Sequence, residues 1–154
     1  GRTAGQLMGH FLSKGRAKIL VVTGSMLARD HLERRLGFDQ VMTESFEDVV
    51  VLPSLEGRDD PDLLEKLLPD AFATTPDISG VYSSAAGNAG LIKLSRDALE
   101  QGTFDAIISQ DTGHLIRSTV RVLRAKSDSL PINISQERIR IDVYLKENMP
   151  PLGG

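Results

Sequence analysis

The sequence contains no cysteine among its 154 residues, which excludes disulfides, thiolate metal sites and a cysteine nucleophile. No apolar run approaches the ~18 residues that a membrane-spanning helix requires. Neither sign of charge dominates, because 18 Lys and Arg stand beside 21 Asp and Glu, so the chain lacks the basic character of a domain that itself grips DNA. The lack of cysteine is compatible with the cytoplasm, and residues 1–5 lack the apolar core of a signal peptide; we expect a cytoplasmic protein.

The chain does contain a regular alternation of short apolar strands and amphipathic helices. We predict strands at 18–23, 48–52, 78–82, 104–109 and 137–146, and helices at 3–13, 28–45, 61–73, 88–101 and 113–126. This order predicts an α/β fold with a parallel sheet flanked by helices, the first four strands lying parallel in one sheet. The last strand alternates with period two and indicates an edge. The apolar positions expected to face inward in the second helix are Leu32, Leu36 and Val41. The last helix carries Leu115, Ile116, Val120 and Leu123, which also demand burial.

Small and hydrogen-bonding residues follow the predicted strands. Open parallel sheets bind ligands outside the carboxyl ends of their strands, so these turns are expected to converge on one rim. Hydroxyls, a carboxamide and carboxylates ringed together suit a polyhydroxylated ligand. Turns use the same residue types for backbone reasons, and both interpretations stay open at this point. The turns in question are 23–25, 57–60, 83–84 and 110–112.

No arrangement of residues predicts catalysis, a metal or a cofactor. His10, His31 and His114 share no metal-ligand spacing, and ordinary surface or satisfied core histidines explain them better. Asp111 and His114 lack a serine in a nucleophile elbow. The segment 87–90 lacks the spacing of a dinucleotide-binding fingerprint. We therefore predict a binding module rather than an enzyme, with no cofactor.

Five segments, in order, resemble the effector-binding core of the lactose/galactose repressor family of transcription regulators. The residues 33–38, Glu-Arg-Arg-Leu-Gly-Phe, are similar to the Arg-x-x-Gly-Phe motif of that family. The other four similar segments are the opening helix at 1–8, the strand at 18–24, the late strand at 102–111 and the closing strand at 136–145. The similarity covers nearly the whole chain.

The resemblance implies a Rossmann-like lobe of a type I periplasmic-binding-protein-like fold, hinged to another lobe around a sugar. It places Arg34 at the sugar hydroxyls, Ser84 where many relatives have asparagine, and Gln110 at the hinge, with Asp30 and Asp59 lining the rim. The implied partners are a small-molecule effector, a second copy in a homodimer, and DNA, bound only through a helix-turn-helix that these residues do not contain. No membrane partner is implied. A periplasmic sugar-binding protein of an ABC transporter is the alternative, and a flavodoxin-like enzyme is a third, weaker hypothesis.

The chain departs from the family pattern in two ways. The residues match the second lobe (1–110), the return crossover with the closing strand (111–148) and a tail at 149–154 that we expect to be disordered, so the fold is expected to be incomplete. Between Lys93 and Leu94 we also expect roughly twenty further residues, since a helix end, a buried strand and its turns must fit there.

Overall fold

The computed structural model describes residues 1–12, 15–84 and 89–149. The segments 87–88 and 150–154, on which two of the predictions above fall, lie outside the described residues. The elements are α1 (Arg2–Phe11), β1 (Ala17–Thr23), α2 (Arg29–Ser45), β2 (Val49–Glu56), α3 (Pro61–Thr74), β3 (Ile78–Ser83), α4 (Ala89–Glu100), β4 (Ile107–Gln110), α5 (Thr112–Ser127) and β5 (Ile141–Tyr144). The chain divides into two compact units, residues 1–94 and 95–154. The lobe boundary predicted at 110/111 concerns a larger protein and stays a prediction.

The first unit contains a three-stranded parallel sheet in the order β2-β1-β3. The central strand β1 is buried along almost its whole length, as its apolar sequence on both faces predicts. Val22 of β1 lies opposite Leu55 of β2 and Ser83 of β3, so the three strands end at the same edge. The predicted α/β fold with a parallel sheet flanked by helices is confirmed.

Helices cover both faces of this sheet. On one face Ile19 and Val21 pack with Phe38 and Met42 of α2 and with Tyr82, whose ring stacks on Phe38 at a centroid distance of 4.0 Å. On the other face the alternate residues of β1, Leu20 and Val22, pack with Leu64 and Leu68 of α3. The two apolar layers fix α2 and α3 against the sheet, and they thereby fix the loops that leave its carboxyl edge.

The inward face of α2 differs from the prediction. Leu32 and Leu36 are exposed, whereas the buried residues of this helix are His31, Phe38, Val41 and Met42. The buried face of α2 begins with a polar residue, His31, so the spacing of apolar residues does not reveal the amino-terminal half of that face. The prediction for Leu32 and Leu36 was wrong for this reason, and that for Val41 is confirmed.

The second unit contains a two-stranded sheet in which β4 and β5 are antiparallel, with Ile107 opposite Tyr144 and Gln110 opposite Ile141. The prediction that residues 104–109 form a fourth parallel strand beside the other three was therefore wrong, and both strands are shorter than expected. An apolar run predicts a strand but not its neighbour, which tertiary contacts decide. Among the described residues of α5, His114 and Ser118 are buried, while Leu115, Ile116, Val120 and Leu123 are exposed.

A partly buried carboxylate contact makes the stability of the second unit sensitive to acid. Glu137 accepts hydrogen bonds from Arg121, at 2.9 Å from both Nε and Nη2, and from Ser118 Oγ. These bonds, the one from Arg121 first, lower the pKa of Glu137 in the folded protein. The pair therefore stabilises the fold at pH values above the ordinary pKa of glutamate. That stabilisation is lost as the pH falls through the lowered pKa. Chemical unfolding at a series of pH values should show the stability difference between wild type and Glu137→Gln shrinking in acid. A constant difference would contradict the contact, and Glu147→Gln serves as an exposed control.

Candidate functional site

Three of the four turns that the sequence predicts to converge meet at the carboxyl edge of the parallel sheet, whereas the fourth, 110–112, belongs to the other compact unit. Gly57, which follows β2, donates its backbone N–H to the carbonyl of Thr23 at 2.8 Å, and Ser84, which follows β3, donates to the carbonyl of Val22 at 2.9 Å. The loops after β2 and β3 are thus tied to the end of β1. We call the residues 23–25, 57–60 and 84, together with Asp30, His31 and Arg34 of α2, the carboxyl-edge cluster.

Arg34 lies at the centre of this cluster. Its Nη1 donates to the carbonyl of Ser84 at 2.9 Å, and its Nη2 donates to Asp30 Oδ2 at 3.1 Å. The arginine side chain is about one-third exposed, so it reaches solvent while one side is anchored. A guanidinium carries five N–H donors, and the group therefore keeps donors beyond these two bonds. The structure brings three of the predicted site residues, Arg34, Asp30 and Ser84, together.

Asp59 reaches the same edge from the loop after β2. Its carboxylate lies against Gly24, where an added Cβ would sit only 2.5 Å from Oδ1, so a larger residue there would displace the Asp59 side chain. Arg58 and Asp59 both have left-handed backbone angles, with φ of 51° and 54°. Such residues store about 1–3 kcal/mol of strain each and occur often at ligand-binding loops. Asp60, which caps α3 by accepting the N–H of Asp62 at 2.9 Å, holds the loop in this form.

The sequence analysis missed one buried member of this cluster. His31 is nearly inaccessible, and its Nδ1 accepts the backbone N–H of Ser25 at 3.1 Å. The sequence analysis interpreted His31 as an ordinary histidine, on the surface or hydrogen-bonded in the core. The core alternative fits its burial, but it gave the residue no place in the site. Its position seven residues before the buried Phe38, on one face of α2, was the available signal.

Gln110 lies in the other compact unit. It is the last residue of β4, is exposed, and pairs with Ile141 across the two-stranded sheet. The first unit thus brings four of the five predicted residues to one edge without it. The role of Gln110 at a hinge stays a prediction.

A groove elsewhere in the first unit is lined by charged side chains that bond to each other. It measures about 610 Å³ and lies beside α2 and β2, with Arg35, Asp39 and Val49 among its lining residues. Two of its three charged side chains bond to each other, Arg35 Nε lying 2.7 Å from Asp39 Oδ2, and Arg35 also donates to Ser54. These groups tie α2 to β2, and we assign them a structural role.

Within the residues that the structure describes, no three His, Asp or Glu side chains are grouped to hold a metal ion. Over the same residues, no helix is both long enough and apolar enough to cross a membrane.

Two hydroxyls at the carboxyl edge are buried without a hydrogen-bond partner in the described part of the chain, Thr23 Oγ1 and Ser84 Oγ. A buried polar group left unpaired costs about 1–3 kcal/mol. Replacing Thr23 by the similarly shaped valine should therefore leave the free energy of unfolding unchanged or raise it by about 1 kcal/mol. Denaturant unfolding measures this effect.

The free energy of unfolding of Ser84→Ala is compared with that of Ser83→Ala. Ser83→Ala is the control, since only Ser84 is fully buried. A loss of more than about 1 kcal/mol in Thr23→Val would show that this hydroxyl has a partner in solution.

Comparison with known proteins gives one family and several related structures. The profile described as a periplasmic binding protein domain matches residues 1–94. The fold is similar to a glucose-galactose binding protein, GanP, from Geobacillus stearothermophilus, with a TM-score of 0.71 and 17% identity over 97% of this chain and 61% of that one. It is similar to the arabinose binding protein AraP of the same organism, with a TM-score of 0.62 and 18% identity over 95% of this chain and 59% of that one.

A third similar structure is the sugar-binding protein of a sugar ABC transporter from Bacillus halodurans, with a TM-score of 0.65 and 17% identity over 96% of this chain and 61% of that one. No curated protein sequence matches the chain. The chain therefore spans about 60% of the length of the solved structures that it matches. At this level of identity the similarity establishes the fold.

Proposed function

Because this chain belongs to the family of periplasmic binding protein domains, we propose that it supplies one lobe of a receptor for a sugar or a similar polyhydroxylated molecule. The observation that carries the proposal is Arg34, anchored between Asp30 and the Ser84 carbonyl with part of its guanidinium still exposed. The chain acts in this proposal as a binding module and not as an enzyme.

The chemistry of the carboxyl-edge cluster suits a neutral ligand rich in hydroxyls. Arg34 offers N–H donors, and the carboxylates of Asp30 and Asp59 offer acceptors, which is the combination that sugar hydroxyls need as donors and acceptors. Asp30 neutralises the arginine charge, so the pair favours hydroxyls over an anionic group. The described ligands of the similar structures, glucose-galactose and arabinose, support the same class.

For the complete protein we propose a cytoplasmic, homodimeric transcription regulator whose DNA-binding head lies outside this chain. The support is the order of the five segments that resemble the lactose/galactose repressor family, above all Arg34, Gly37 and Phe38 and the closing strand that contains β5. In this proposal, a sugar that binds one arrangement of the lobes more tightly shifts the population of the DNA-binding form.

The second candidate is a sugar-binding protein that serves a transporter. It is supported by the description of the similar structure from Bacillus halodurans as part of a sugar ABC transporter. The complete reading frame distinguishes the two candidates, because a regulator requires a helix-turn-helix segment before the sugar-binding core and a periplasmic protein requires a signal peptide.

The proposed function is tested by a thermal-shift screen of the protein encoded by the complete reading frame. D-glucose, D-galactose and L-arabinose are the first probes, with glycerol as a small polyol control. A ligand present at 100 times its dissociation constant stabilises a protein by about 2.7 kcal/mol, which raises its Tm by several degrees. A flat response to every sugar tested up to millimolar concentration would contradict the proposal.

A further inference from the structure

His31 connects the turn after β1 to the arginine of the carboxyl-edge cluster. The backbone N–H of Ser25 donates to His31 Nδ1 at 3.1 Å, and His31 Nε2 lies 3.8 Å from Asp30 Oδ2. The same carboxylate oxygen accepts from Arg34, which in turn donates to the Ser84 carbonyl. A continuous row of polar contacts thus runs from the loop after β1 to the loop after β3, with the histidine near its start.

The contact of His31 with the Ser25 N–H belongs to one tautomer of the ring. With Nδ1 as the acceptor, the proton of the neutral ring lies on Nε2, on the side of Asp30. The ring is buried on the apolar face of α2, where a polar group is tolerated only if it is hydrogen-bonded. Ser25 supplies that bond. The histidine therefore holds the turn and faces the carboxylate at the same time.

We propose that His31 is a positioning residue of the sugar site, a role that rests on the function proposed above. It fixes the turn at Gly24 and Ser25 against α2 and keeps Asp30 directed towards Arg34. The charged groups around it are Asp30 and Arg34 on its own helix and Asp59, which the loop after β2 places against Gly24.

The ring contacts both backbone groups of Ser25, because Nδ1 also lies 3.3 Å from the Ser25 carbonyl. These contacts hold the turn after β1 against α2.

The first test needs no ligand and uses amide hydrogen exchange on the 154-residue chain. In His31→Leu the Ser25 amide loses its acceptor and should exchange about tenfold faster, the equivalent of one net hydrogen bond. His31→Asn keeps an oxygen acceptor near the position of Nδ1 and should restore most of the protection. His114→Asn is the matched control, because His114 is also buried and its Nδ1 accepts the Arg140 N–H in the other unit. Unchanged exchange at Ser25 in His31→Leu would overturn the proposal.

The second test measures sugar affinity in the protein encoded by the complete reading frame, with the sugar of the screen that binds best. The dissociation constant should rise about tenfold in His31→Leu and recover in His31→Asn. Equal affinities in all three proteins would overturn the positioning role while the proposed function stands. Failure of wild type to bind any sugar would contradict the proposed function, and with it the role, even if the exchange result holds.

Discussion

Replacing Arg34 by alanine is expected to weaken sugar binding by the complete protein by about 1.5–3 kcal/mol, roughly tenfold to 150-fold in the dissociation constant. The reason is geometric. Bonds to Asp30 and to the Ser84 carbonyl hold the guanidinium in place, so its remaining donors need little further ordering when a ligand arrives. Removing the arginine also leaves Asp30 without its cation. Isothermal titration calorimetry measures the change.

Arg29→Ala is the matched control for this prediction. Arg29 lies on the same helix and pairs with Glu33, four residues further along, just as Arg34 pairs with Asp30, four residues before it. The side chain of Arg29, however, is almost fully exposed. An exposed pair of this kind stabilises a helix by about 0.5 kcal/mol or less and has no expected effect on binding. If Arg34→Ala also leaves the affinity unchanged, Arg34 serves only such a surface pair.

The second large effect is self-association of the 154-residue chain when it is studied alone. Ile116, Val120 and Leu123 follow one another at helical spacing on α5, and each is about 60% exposed. A contiguous apolar stripe is rarely left in water, so the chain should associate with further copies or exchange segments between them. Light scattering should give at least twice the mass of one chain. The double variant Ile116→Lys, Leu123→Lys should be monomeric and still helical.

Arg124→Ala controls for a change on the polar face of the same helix. We also expect the chain alone to bind sugar more weakly than the complete protein, since it spans about 60% of the structures that it matches. A monomer that binds sugar tightly would contradict both expectations. A monomer without binding would contradict only the first.

The first unit was largely predictable from its sequence. Residues 18–23 are apolar on both faces because β1 is central, and the polar turns after the strands meet because parallel strands end together. The place of Arg34 beside Asp30 and Ser84 came from the resemblance to a family, and the hydrogen bonds now give it a physical basis.

Other features depend on contacts that no local pattern encodes. The buried face of α2 starts at His31, a polar residue whose partner is the Ser25 backbone. Hydrophobic periodicity therefore predicted that this face starts at Leu32, one position later. The antiparallel pairing of β4 with β5 brings together residues more than thirty positions apart, and the apolar character of residues 104–109 is equally compatible with a parallel partner. The positive φ angle at Arg58 has no signature in its residue type, whereas aspartate, as at Asp59, adopts such angles more often than most residues.

The first compact unit and the family match both end at Leu94. This is the position at which the resemblance to the repressor family leads us to expect roughly twenty further residues, including a strand. That expectation stays a prediction.

The most direct measurement of the central claim is a crystal structure of the complete protein with its best-binding sugar. The account predicts a sugar at the carboxyl edge of the β2-β1-β3 sheet, with hydroxyls within hydrogen-bonding distance, about 2.7–3.2 Å, of Arg34 and of Asp30 or Asp59. A sugar bound elsewhere, with Arg34 still bonded only to Asp30 and the Ser84 carbonyl, would contradict it.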